Sequence, residues 1–95
     1  MHRHTVLFNL KEDADAATVM AAMNGLADLP TVESMVIEEN IVPLGEHSPY
    51  KWVLIGDFAD QDARDAYESH EHHVDVIKNV FLPNAKDFIV ADVNF

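Results

Sequence analysis

Apolar and polar residues alternate from Arg3 to Leu10, with His4, Val6, Phe8 and Leu10 on one row and Thr5, Leu7 and Asn9 on the other. The run is rich in strand formers and predicts a first strand. Asp13 then precedes an alanine-rich stretch in which Val19, Met20, Met23, Leu26 and Ala27 recur at helical spacing until Pro30, predicting a helix over about 14–28. β-Branched residues return between Val32 and Val42 in a polar, edge-like strand, and Pro43, Gly45, Ser48 and Pro49 mark a turn. The next strand runs from Tyr50 to Phe58, its rows being Trp52, Leu54, Gly56, Phe58 and Lys51, Val53, Ile55, Asp57. Asp60 is placed to cap a second helix carrying Ala63, Arg64, Ala66 and Tyr67. After a break near Ser69 and His70, helix returns with Val74, Ile77, Val80 and Phe81 on one face until Pro83 stops it. Residues 87–95 predict a last strand, with Phe88, Val90 and Asp92 on one row and Ile89, Ala91, Val93 and Phe95 on the other.

The element order is β-α-β-β-α-β, the ferredoxin-like α+β arrangement of a four-stranded antiparallel sheet with its helices on one face. No repeat or linker divides residues 1–95, which read as a single domain. Three of the four strands are apolar on both rows, and the helices of one chain cover only one of them. Leu7, Val53, Ile55, Ile89 and Val93 would be left as an exposed patch larger than a soluble monomer tolerates. The simplest closed solution is a homodimer in which two sheets pack face to face as a dimeric α+β barrel.

Composition narrows the partners. Seventeen acidic side chains against six basic ones give a net charge of -11, which repels phosphate backbones and anionic lipid and argues against nucleic acid and membrane. With no cysteine there is neither a disulfide framework nor a thiolate zinc site. A hydrophobic content of 48% is too high for a disordered acidic chain. The N-terminal apolar run meets Lys11 and Glu12 too soon for a signal-peptide core or a membrane span, so a cytoplasmic location is expected.

Six histidines in 95 residues are the next unusual feature. His4 shares a row with Val6 and Phe8, at the rim or floor of the space between sheet and helices. The last strand lies antiparallel beside the first in this topology, which brings Asp92 near His4. A carboxylate there needs a partner, and His4 or His73 is the candidate. Tyr67 and the His70-Glu71-His72-His73 cluster fall at the helix break, where side chains turn inward. A phenol donating to a carbonyl or enolate oxygen, with an imidazole abstracting a proton, is a minimal acid-base pair that needs no cofactor. Against this stands the plain reading of Tyr67 as core and of His70 and His72 as solvated. His70 and His73 share a helical face, but no third ligand stands at diagnostic spacing, so no metal site is expected. The isolated glycines 25, 45 and 56 form no phosphate loop.

Arg3-His4-Thr5-Val6-Leu7-Phe8-Asn9-Leu10-Lys11, the strand ending in Asp57-Phe58, the block Ala66-Tyr67-x-x-His70-x-x-His73 and the closing Phe88-Ile89-Val90-Ala91-Asp92-Val93 together resemble the stress-responsive α/β-barrel domain proteins of the dimeric α+β barrel superfamily. The resemblance spans nearly the whole chain. It implies a homodimer with a pocket in each subunit between sheet and helices, here lined by Val6, Phe8, Met20, Met23, Trp52, Leu54, His70, Ile77, Phe81, Phe88 and Val90. Many such proteins have no defined activity, and some are linked to stress tolerance in plants. A plant polyketide cyclase of similar fold uses a tyrosine and a histidine matching Tyr67 and His73, and its strand histidine and aspartate match His4 and Asp92. One of its pocket histidines falls at Trp52, whose indole would reshape or fill the cavity. The family also commonly reads His-Pro-x-His where this chain has His70-Glu71-His72-His73, without the proline that sharpens the break.

Three functions follow as expectations. The first is a cofactor-free acid-base catalyst on a small carbonyl or polyketide-like compound, with Tyr67 as donor, His73 as base, and His4 and Asp92 orienting. The second is a non-catalytic dimer that binds a small apolar ligand or serves in stress tolerance, its pocket filled by Trp52, Met20, Met23 and Phe81. The third, by fold analogy, is a monooxygenase of the related barrel type.

Overall fold

A computed structural model of the chain describes all 95 residues. Its elements run β1 (His2–Leu10), α1 (Ala16–Asn24) continued by a 3₁₀ turn (Gly25–Asp28), β2 (Ser34–Glu39), β3 (Trp52–Phe58), α2 (Gln61–Ser69), α3 (Glu71–Val76) continued by a π-helical turn (Ile77–Phe81) and a short α4 (Leu82–Asn84), and β4 (Ala85–Asn94). The strands form one antiparallel sheet in the order β2-β3-β1-β4, which is the ferredoxin-like α+β architecture expected from the element order. No helix is long and apolar enough to cross a membrane.

Local chemistry moves several boundaries. Asp15 rather than Asp13 caps α1, accepting from the Thr18 amide and hydroxyl, so the helix begins later than its periodicity suggests. Its end tightens into the 3₁₀ turn before Leu29, whose extended backbone suits a residue preceding Pro30. The second strand is shorter than the run from Val32 to Val42. The Asn40 side chain donates to Ser48 and to the Tyr50 carbonyl and folds the segment after β2 into a loop. Pro83 does not stop the last helix outright but sits inside its final turn. Lys11 reaches across to that end, its ammonium on the Pro83 carbonyl and its amide on the Asn84 carbonyl, satisfying groups that a helix terminus leaves unpaired.

The break between α2 and α3 forms without proline. His70 adopts φ -61° and ψ 136°, and its Nδ1 accepts the His72 amide, capping α3. Glu71 is the first residue of α3, where a proline loses no hydrogen bond, and the extended backbone of His70 is what a residue before proline requires. Glu71→Pro is therefore expected to leave the fold intact and to raise stability by about 0.4–1 kcal/mol by restricting the unfolded chain. A thermal melt checks this, and a marked loss of stability would contradict the assignment.

Helices and sheet close around Phe8, Leu54, Phe58 and Ile37 from the sheet, Val19, Met23 and Leu26 from α1 and its 3₁₀ extension, and Tyr67, Val76 and Phe81 from the second helical arm. Each buried side chain of this kind contributes about 1.5–3 kcal/mol. The opposite row carries Leu7, Val53, Ile55, Val36, Ile89 and Val93, in register across all four strands and without a helix over it. Val36, Ile89 and Val93 are 53%, 48% and 57% exposed. On the same face the Arg3 guanidinium makes a two-pronged ion pair with Asp57 at 2.8 Å.

Candidate functional site

The helical arm crosses β1 and β3 but leaves the helix-facing row of β4 half open, and a cavity of about 140 Å³ lies there. Engineered apolar cavities of comparable volume hold benzene, so one small ring fills it. Its wall is mostly apolar: Val6, Met23, Leu54, Ile77, Phe81, Leu82, Phe88 and Val90, with His4, Arg64, Tyr67, Glu68 and His73 as the polar exceptions. The π-helical turn widens the arm so that Ile77 and Phe81 both face it, the type of local distortion often found at functional sites.

Tyr67 stands on α2 with its ring against Phe58 and against the His73 imidazole, at centroid distances of 5.0 and 4.4 Å. Burial pushes its phenol well above the usual tyrosine value, with the Arg64 charge opposing and the Glu68 charge adding, so it stays protonated and able to donate. Every fully buried side-chain polar atom of the chain has a partner. The Tyr67 hydroxyl has none, so it opens on the cavity.

His73 lies just past the break. The last carbonyls of α2 have no helical partners, and the Glu68 carbonyl accepts from His73 Nδ1 at 2.9 Å. A carbonyl oxygen only accepts, so Nδ1 carries the proton and Nε2 the lone pair. Burial holds the imidazole below its ordinary pKa, outweighing the Glu68 bond that raises it. His73 is thus a neutral base with a fixed tautomer.

Asp92 faces His4 directly across the β1–β4 ladder. Its Oδ1 accepts from His4 Nδ1 at 2.7 Å and its Oδ2 from His2 Nε2 at 2.7 Å, while Arg64 Nε forms an ion pair with Oδ2 at 3.1 Å. Burial works against the carboxylate charge, but the bonds from His2 and His4 outweigh it and hold Asp92 below the usual carboxylate range. Arg64 also meets Glu68 and Asp65 through its Nη1.

His4, Tyr67 and His73 thus meet at one cavity, with Asp92 behind His4 rather than on the wall. His73 bonds the Glu68 carbonyl and not Asp92. Of the residues named from the sequence as pocket lining, Val6, Met23, Leu54, Ile77, Phe81, Phe88 and Val90 border this cavity and four do not. Phe8 is fully buried beneath it, edge-on to Phe81. Met20 packs against the core a turn of α1 away from Met23. Trp52 has the expected row but pairs with Phe8, four residues along β1 from His4 and about 13 Å away, so its indole neither reshapes nor fills the cavity. His70 is exposed, its ring turned back to cap α3. His2, Arg64, Glu68 and Leu82 were not anticipated. Two of them carried a signal: His2 sits two residues before His4 on the same strand row, and Arg64 sits three before Tyr67 on the same helix face.

A protein-family model described as stress responsive A/B barrel domain matches residues 3–95. A stress-response A/B barrel domain-containing protein of Arabidopsis thaliana is 29% identical over 92 residues, 94% of this chain. The chain spans 35% of that protein's length. A dimeric ferredoxin-like protein of unknown function from Thermobifida fusca superposes with a TM-score of 0.82 at 19% identity, covering 99% of this chain and 90% of the other. A hydroxynitrile lyase from Passiflora edulis superposes with a TM-score of 0.84 at 13% identity, covering 97% and 90%. Both structures share the fold.

Proposed function

The chain belongs to the stress-responsive A/B barrel domain family, and on that premise we propose that it is a homodimer in which each subunit's cavity is a cofactor-free acid-base site for a small uncharged carbonyl compound. The observation that carries this reading is the unpartnered Tyr67 hydroxyl beside the neutral His73 ring in an unfilled cavity. His73 Nε2 takes a proton from the carbon next to the carbonyl. The bonding pair moves into an enolate, and the Tyr67 hydroxyl donates to the oxygen on which charge develops. Asp92 orients His4 at the rim. Tyr67 and His73 then act as catalytic residues, and Asp92 as a positioning residue.

The uncharged character of the ligand follows from Arg64. It is the one guanidinium on the wall, and Asp92, Glu68 and Asp65 already occupy it, leaving no free cation for a carboxylate in a chain of net charge -11. A lyase on the same fold supports the reading at the level of fold. The dimer is supported by the uncovered apolar row and by the dimeric relative from Thermobifida fusca.

The test is turnover of a panel of one-ring aldehydes and ketones that carry a hydrogen on the carbon next to the carbonyl, as a function of pH. A neutral His73 is required, and its value in the folded protein lies below the ordinary imidazole value of about 6.5. The midpoint of the acid limb of the rate is therefore expected below that value. An acid limb above the ordinary imidazole value would rule out His73 as the base. Binding across the panel without turnover would make the protein a non-catalytic ligand-binding member of its family.

A further inference from the structure

His2 is almost fully buried at 6% exposure, yet it holds a hydrogen-bond acceptor at each ring nitrogen. Asn94 Oδ1 lies 2.8 Å from Nδ1 and Asp92 Oδ2 lies 2.7 Å from Nε2. An amide oxygen and an ionised carboxylate only accept, and a neutral imidazole has a single N–H. With the Asn94 oxygen facing Nδ1, both bonds form together only when both nitrogens carry protons.

We propose that His2 is a resident imidazolium and the positioning residue that holds Asp92 ionised opposite His4. His2 donates to Asp92 Oδ2, and Arg64, shared with Glu68 and Asp65, pairs to the same oxygen. His4 Nδ1 donates to the other oxygen, Oδ1, so His2, Arg64 and His4 all converge on the one carboxylate.

The surroundings agree from each side. β3 contributes the buried Phe58 as the strand neighbour of His2. The polar recess that His2 lines, adjoining the cavity at Arg64 and Val90, receives Gln61, Arg64 and Asp65 from α2 and Asp92 and Asn94 from β4. The Asp92 bond is the leading influence on His2 and favours its charged form, while burial opposes it. The ring nitrogens of His2 bond Asn94 and Asp92, and Asp65 in the same recess pairs with Arg64.

The consequence is a carboxylate held in its ionised form behind His4, fixing that ring at the rim of the cavity through Nδ1. This builds on the acid-base reading for its catalytic meaning, whereas the protonation of His2 is measurable without any substrate. Long-range proton–nitrogen correlation spectra of the isotope-labelled protein at neutral pH decide it. Both ring nitrogens of His2 are expected in the protonated range. A bare nitrogen on His2 overturns the proposal.

A second measurement separates positioning from mere packing. In His2→Gln the pH at which the Asp92 carboxyl takes up its proton is expected to rise toward the ordinary carboxylate value, and in His2→Lys to stay below it. An unmoved Asp92 titration in a folded His2→Gln protein also overturns the proposal. Should His2→Gln not fold, the spectrum of the parent protein still decides. Absence of turnover across the carbonyl panel would remove the catalytic reading and leave these spectra unchanged.

Discussion

Tyr67→Phe is expected to lower kcat/KM on any compound the cavity turns over by about 10²–10³-fold, as loss of one oxyanion donor does elsewhere. The folded protein should barely notice. The hydroxyl has no partner in the chain, so its removal orphans no donor or acceptor. The ring keeps its contacts with Phe58 and His73. Stability should stay within about 0.5 kcal/mol, a shift of roughly 2–4 °C in Tm for a domain of this size. This split between activity and stability is what a core tyrosine cannot produce, because a core hydroxyl is either bonded or absent. Measured together, kcat/KM and Tm therefore separate the two roles. Equal activity in Tyr67→Phe would show that the phenol only fills space, and the acid-base proposal would fall with it.

Periodicity and adjacency were legible in the sequence. Period-two alternation assigned His4, Val6 and Phe8 to one row and Leu7 to the other. The element order then placed β4 beside β1, which set Asp92 opposite His4. Distance along a strand was not legible in the same way. Trp52 and His4 point to the same face, yet their separation along the sheet puts the indole outside the cavity. Backbone groups at helix ends were also hidden. The choice of His73 between Asp92 and the Glu68 carbonyl depends on which carbonyls α2 leaves unpaired, and that depends on where the helix stops. The π-helical turn has no simple sequence signature, and it is this turn that brings Ile77 and Phe81 onto one wall. For His2 and Arg64 the sequence shows only a shared strand row with His4 and a shared helix face with Tyr67. Only in three dimensions do they converge with His4 on the carboxylate of Asp92.

Leu7→Lys tests the proposed dimer at its centre. Leu7 lies on β1, an inner strand, and its register neighbours on the uncovered face are Val53 and Ile89. It belongs to the row opposite Phe8, so a lysine there does not enter the core between sheet and helices. In a monomer the substituted chain simply gains a solvated charge. In a face-to-face dimer, two ammonium groups would be carried into an apolar layer, and burying each costs several kcal/mol with no carboxylate beside it. About 4 kcal/mol of lost association already raises the dimer Kd by about 10³-fold. Sedimentation at micromolar concentration is therefore expected to show a dimer for the parent chain and a monomer for Leu7→Lys. The cavity is lined by residues of one chain on the opposite side of the sheet, so binding of a small ring should survive in the monomer as far as the monomer stays folded. If Leu7→Lys sediments as the parent does, the two chains associate elsewhere or not at all, and the exposed Val36, Ile89 and Val93 require another cover.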